Sequence, residues 1–245
     1  MKRIILTGAN GDIGKNIFSS LHNEGYICAL WIRKENKAFV DFLEDIKSSS
    51  SSFNHLLIHA DLESNDEIKK GIEETKKWSK KFDAIINCAG YPFGSLANLT
   101  PLKELEKSMQ INFFAPIQLI QAFSRGMITN KGGKIINIAS IQGSIAERGN
   151  LAYGSSKAAI IHATKIIAQE LGVYGISVNS ISPTAVVSKM SQLMNEDSLI
   201  RLKNYSATNS EITTMSVSDA VMFLLDYSGN SINGIDLKIH GGMPF

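Results

Sequence analysis

Short apolar runs alternate with longer stretches of helical period from one end of this chain to the other, and no other feature restricts the fold as much. The runs Arg3–Thr7, Tyr26–Ile32, His55–Ala60, Ala84–Asn87, Lys134–Ala139, Ser177–Ser182 and Ile235–Ile239 are mostly apolar throughout, not at every second residue. That is the pattern of strands covered on both faces. Helical stretches fall between them, near Gly14–Glu24, Lys37–Lys47, Asn65–Trp78, Leu102–Arg125, Ala152–Gly172 and Ser218–Tyr227. The succession implies an α/β fold of about seven parallel strands in a doubly wound sheet, with helices on both faces. The polar run Ser48–Ser52 reads as a loop, and no shift in composition marks a boundary, so residues 1–245 are expected to form one domain.

Charge and cysteine content narrow the possible partners. A formal net charge of +2 gives no electrostatic case for nucleic acid, which leaves small molecules. Cys28 and Cys88 both lie in or beside apolar runs, suggest neither a disulfide framework nor a metal cluster, and fit a reducing cytoplasm. The run after Lys2-Arg3 stops at Thr7-Gly8, too short for a signal peptide or a membrane span. His55 and His59 are four residues apart, but within a strand pattern they would share a face about 13 Å apart, too far to hold one metal ion.

Two local patterns carry chemistry. The first strand ends in Thr7-Gly8-Ala9-Asn10-Gly11-Asp12-Ile13-Gly14, after which a helix begins. A glycine turn in that position directs backbone N–H groups and a helix N-terminus at a pyrophosphate, so a dinucleotide site is expected there. The second pattern is Tyr153-Gly154-Ser155-Ser156-Lys157, thirteen residues after Ser140. On a helix the i and i+4 side chains share a face, which would set an ammonium beside a phenol and favour its ionised form. A phenol of ordinary pKa, roughly 10, is a weak general acid at neutral pH, and a neighbouring cation would bring it closer to that task. Chance alone gives roughly 0.5 Tyr-x-x-x-Lys matches in a chain of this composition, so the pair gains its meaning from its surroundings.

Those surroundings resemble the compact branch of the short-chain dehydrogenase/reductase family from Arg3 to Gly241-Gly242, with a length and motif order similar to the 3-oxoacyl-acyl-carrier-protein reductases. The resemblance implies a single Rossmann-type domain and a nicotinamide cofactor. It implies cofactor contacts from Gly8, Asn10, Asp12 and Ile13 in the glycine turn, from Asp61-Leu62, and from Asn87, Ala89 and Gly90 of Asn87-Cys88-Ala89-Gly90. Pro183, Val186 and Ser188, in the segment that would hold the nicotinamide, complete the set. It also implies a catalytic group of Ser140, Tyr153, Lys157 and Asn112: Tyr153 protonates a substrate carbonyl oxygen that Ser140 polarises. Lys157 lowers the Tyr153 pKa and binds the nicotinamide ribose, and a water near Asn112 resupplies the proton. Two positions depart from the family pattern, Asp12 and Thr184, each where glycine is usual; the physical role expected of Asp12 is that of a helix cap.

The second strand ends in Trp31-Ile32-Arg33-Lys34, with cations where binders of NAD carry an acid for the ribose 2′-hydroxyl. Arg33 can grip a 2′-phosphate in bidentate fashion with Lys34 beside it, so NADP(H) is expected in preference to NAD(H). The substrate pocket is expected from Tyr91–Thr100, Ile141–Leu151 and Ser188–Ile212, the last with Met190, Leu193, Met194 and Leu199 as an amphipathic lid. The substrate class stays open between a carbonyl compound, a carrier-protein-linked or nucleotide-linked one, and a sugar, and a protein that senses NADP(H) without turnover is the non-enzymatic alternative. Apolar and small residues around much of Leu102–Arg125 and Ala152–Gly172 suggest a homo-oligomer, and the resemblance points to a tetramer built on these helices and on Ile235–Ile239.

Overall fold

The computed structural model describes residues 2–49, 53–186, 207–208 and 211–243. Among these, seven strands appear: β1 (Arg3–Thr7), β2 (Ile27–Ile32), β3 (Leu56–His59), β4 (Ala84–Asn87), β5 (Gly133–Ile138), β6 (Ile176–Pro183) and β7 (Asp236–Ile239). They form one sheet of order β3-β2-β1-β4-β5-β6-β7, and every pairing is parallel. The crossovers are α1 (Asp12–Asn23), α2 (Lys37–Ser49), α3 (Asn65–Trp78), α4 (Leu102–Met109) continuing into α5 (Ala115–Thr129), α6 (Leu151–Gly172) and α7 (Thr214–Asp226). This is the Rossmann-type arrangement.

Alternation along the strands divides the core in two. Leu6, Leu30, Ile86, Ile136 and Ile181 face Phe18 of α1, Phe39 of α2 and Val221 of α7. Ile5, Trp31, Ile58, Ile85, Ile135 and Val178 face Ile68 of α3, Leu119 and Phe123 of α5 and Ala168 of α6. All four residues of β4 and all eight of β6 are buried, which is why those runs lack the polar alternation of a half-exposed sheet. Each such aliphatic side chain contributes about 1.5–3 kcal/mol on burial, so packing on both faces stabilises the layers more than helix propensity does.

Three details differ from expectation. The Leu102–Arg125 stretch is interrupted by a π-helical turn, Gln110–Phe114, and then runs on to Thr129. Pro116 explains the interruption: it has no N–H to give to the Asn112 carbonyl four residues earlier, and the ladder shifts so that Ala115 N donates to Gln110 O, five residues back. The third strand begins at Leu56, one residue after His55. The His55 ring packs into an aromatic cluster with Phe18 and Phe53, on the side of the sheet that Leu57 faces, and its Nε2 lies 2.9 Å from His22 Nδ1. The last helix begins at Thr214, four residues before the expected start, because the Thr213 side chain accepts from Ser216 N and caps it.

The chain runs outward from β1 to β3 and then returns to the other side of β1 as β4. At such a reversal the connections diverge and leave a crevice outside the carboxyl ends of the strands.

Candidate active site

The crevice is a cleft of about 550 Å³. Its floor is the glycine turn. Gly8 takes φ of +68°, its N–H and that of Ala9 donate to Trp31 O at 2.9 and 3.3 Å, and Gly11 N donates to Gly8 O at 3.0 Å. A side chain on Gly8 would sit 2.7 Å from Ala89 Cα, and one on Gly14 would overlap the Gly8 carbonyl, so only glycine allows β1, α1 and the segment after β4 to meet. Thr7 Oγ1 ties the strand ends by accepting from Cys88 N and Ala89 N, both at 3.1 Å.

Of the residues expected to bind cofactor, Gly8, Asn10, Asp12, Ile13, Arg33, Asp61, Leu62, Ala89 and Gly90 line this cleft. The fit to a dinucleotide is physical. Gly11, Asp12 and Ile13 set the N-terminal end of α1, where the helix dipole favours negative charge, against the cleft, while Ala60, Leu62 and Ile111 give an apolar wall for a planar ring. Asp12 is not a cap: Gly11 holds that position in extended geometry, and Asp12 is the first helical residue, its carboxylate 3.5 Å from Lys15 Nζ. The Lys34 carbonyl accepts from Asn10 Nδ2 at 3.0 Å and so fastens the glycine turn to the end of β2. Asn87 lies behind the cleft, donating to Asn137 Oδ1 at 2.8 Å, and Asn137 in turn donates to Thr164 Oγ1 at 2.9 Å. Pro183 closes β6 and Val186 is buried and bridged to Ile212. Ser188, and the expected lid 188–212 apart from 207–208 and 211–212, lie outside the described residues.

Ser140, Tyr153 and Lys157 come together at the side of the cleft. Ser140 follows β5 and opens a 3-10 turn, Ile141–Gly143, its Oγ accepting from Gln142 N at 3.3 Å. Gly143 lets that turn lie flat on α6, since a Cβ there would be 2.7 Å from the Lys157 carbonyl carbon. Ser140 consequently hydrogen-bonds the Tyr153 phenol. Lys157 is buried, donates to Ile138 O at 2.7 Å and stands 5.7 Å from the centre of the Tyr153 ring. A methyl placed on Gly90, in the cleft wall, would be 3.6 Å from both Lys157 Nζ and Asn112 Oδ1. Asn112 itself is fully engaged: Oδ1 accepts from Tyr91 N at 2.7 Å, and Nδ2 donates to Tyr91 O at 3.0 Å and Ser156 Oγ at 2.9 Å.

The electrostatics correct one expectation. Burial pushes the Tyr153 phenol up to about 12, with the Ser140 hydrogen bond opposing, and the lowering expected from Lys157 does not appear. Burial also pulls the Lys157 ammonium down to about 8, partly offset by Cys88. A cation that is itself poorly solvated and turned to a carbonyl does little to hold a phenolate.

The family model of the short chain dehydrogenases matches residues 2–199. This chain belongs to that family. The short-chain dehydrogenase is 30% identical over 98% of its length to an NAD-dependent glycerol dehydrogenase of Listeria innocua, covering 93% of that protein. It is 28% identical over 99% of its length to a 3-oxoacyl-[acyl-carrier-protein] reductase of Staphylococcus epidermidis, covering 98% of it. A solved structure from Beutenbergia cavernae with bound NADP superposes with a TM-score of 0.90 at 22% identity, covering 99% of this chain and 96% of that one. The protein is therefore an NAD(P)-dependent oxidoreductase acting between a carbonyl and an alcohol.

Sequence reasoning missed several residues of the site. Asn36, Ala38, Ala60, Pro92 and Ile111 line the cleft, and Thr7 braces it. Ile111 is half legible, being next to Asn112 in the turn that Pro116 distorts. Tyr91 joins wall and brace, since besides its bonds to Asn112 its hydroxyl donates to Glu104 Oε2 at 2.8 Å. On the substrate side two of the three expected segments touch: Ser95 N donates to Gly149 O at 2.7 Å, and Ser95 pairs with Asn150 in an isolated bridge.

Proposed function

We propose that this short-chain dehydrogenase is an NADPH-dependent reductase that converts a substrate carbonyl to a secondary alcohol. The Ser140–Tyr153 hydrogen bond beside the buried Lys157, at the wall of a dinucleotide-shaped cleft, carries the reading. NADPH supplies hydride to the carbonyl carbon when bound. Tyr153, raised to about 12, keeps its proton across the neutral range and gives it to the carbonyl oxygen as charge develops there. Ser140 accepts from Gln142 N, which leaves its single O–H free to donate to Tyr153, or to the substrate oxygen once that is bound. Lys157 binds the nicotinamide ribose. With the Asn112 amide committed to Tyr91 and Ser156, and with Pro116 lacking the donor, the Asn112 backbone carbonyl is the group that would hold a water for proton resupply.

Preference for the 2′-phosphate rests on Arg33, an exposed cation in the cleft wall, with Lys34 next to it. Lys15, 3.5 Å from Asp12, tempers the repulsion that this acid would exert on a pyrophosphate. The test is NADPH oxidation by the purified protein against small diketones, keto-sugars and acetoacetyl thioesters, with the product identified. Alcohol formed mole for mole with NADP⁺ is the expected result; no alcohol from any class with either nicotinamide contradicts the reading.

A further inference from the structure

Asn150 occupies the N-cap of α6, yet its side chain makes no capping hydrogen bond. Asparagine is among the best caps, so its diversion costs helix stability. Its Nδ2 donates instead to Glu147 Oε2 at 2.9 Å, and Gln142 Nε2 donates to the same oxygen at 2.8 Å. Both amides are thereby oriented without ambiguity: an ionised carboxylate only accepts, so each must turn its NH₂ toward Glu147 and its oxygen away. Gln142 Oε1, Asn150 Oδ1 and the second Glu147 oxygen have no protein partner among the described residues. Three acceptors thus stand on one rim. The rim is joined to the reacting groups at both ends, Gln142 being two residues after Ser140 and Asn150 three before Tyr153. It meets the segment after β4 at Ser95.

The geometry points to a neutral polyhydroxylated ketone, or its polyol in the reverse direction, as the substrate class, with Gln142 and Glu147 as the residues that determine it. This rests on the reading of Ser140 and Tyr153 as the reducing site. Several hydroxyl donors satisfy the free acceptors, whereas an acyl thioester or an apolar diketone, which brings mainly acceptors and hydrocarbon, leaves them desolvated and unpaired. An anionic keto acid meets the Glu147 carboxylate directly.

The experiment measures kcat and KM for NADPH oxidation with D-fructose, dihydroxyacetone, 2,3-hexanedione and an acetoacetyl thioester. It compares the full chain with Gln142→Leu and Glu147→Gln, and thermal melting checks that the variants are folded. The wild type is expected to favour the hydroxylated ketones. Each variant is expected to lower the ratio of kcat/KM for hydroxylated ketone to that for hexanedione at least about 10-fold, chiefly through KM. A parallel fall on both substrates means that the rim only seats Ser140 and overturns the proposal. A wild type that reduces the diketone or the thioester but no hydroxylated ketone overturns it while leaving the reductase reading intact. Failure on every carbonyl overturns both.

Discussion

Burial acts on Tyr153 and Lys157 in opposite directions. A phenol raised to about 12 is fully protonated at pH 7, so the proton needed for reduction is always in place, while the phenolate needed to accept a proton in oxidation is scarce. Lys157 sets the other limit. Its neutral form is favoured above about 8, and a neutral amine does not grip ribose hydroxyls as strongly. Reduction measured as kcat/KM is therefore expected to be flat from pH 6 to 7 and to fall as pH rises through about 8, and a profile that rises through that range would show that Lys157 does not act as a cation. The trio was legible from Ser140, Tyr153 and Lys157 because i and i+4 on a helix must share a face. The sign of the Tyr153 shift was not, because it depends on how deeply the β5 turn buries both groups.

At the scale of elements, the glycine turn and the end of β2 were legible because each uses residues with one physical reason to be there. Gly14 has no space for a side chain, and Arg33 follows the last paired residue of β2. Replacing Arg33 with Ala is expected to weaken NADPH at least about 10-fold and leave NADH nearly unchanged, since a charge-assisted contact to phosphate is worth about 1.5–3 kcal/mol. Fluorescence titration of both nicotinamides checks this; equal losses would assign Arg33 to the fold or the adenine. The π-helical turn was only half legible. Pro116 forbids an undisturbed helix, but whether a chain kinks, ends or inserts a residue there depends on what packs around it, here Tyr91 and Ser156 holding Asn112. The bond from Asn87 to Asn137 was not legible, because it depends on the register of β4 against β5.

For the molecule as a whole, parallel topology followed from apolar runs that only two covered faces explain, and the cleft followed from the reversal between β1 and β4. Less legible was the apolar surface that remains. Phe114 and Ile166 are 47% and 46% exposed on the long helices, Phe223 is 51% exposed on α7, and β7 is an edge strand among the described residues. Exposed aromatic faces and edge strands are surfaces that copies of a chain cover. We propose a homotetramer, with light scattering at micromolar concentration giving about four times 26.8 kDa. A particle of 26.8 kDa would exclude it.

The central claim is that the Tyr153 hydroxyl is the proton donor to a carbonyl held in the cleft. Tyr153→Phe keeps the ring and its packing and removes one oxygen. NADPH binding by titration is expected to stay within a few-fold of wild type while turnover on the verified substrate falls by a factor of about 10² or more. Turnover that remains near the wild-type value, with the cofactor bound, would contradict the account.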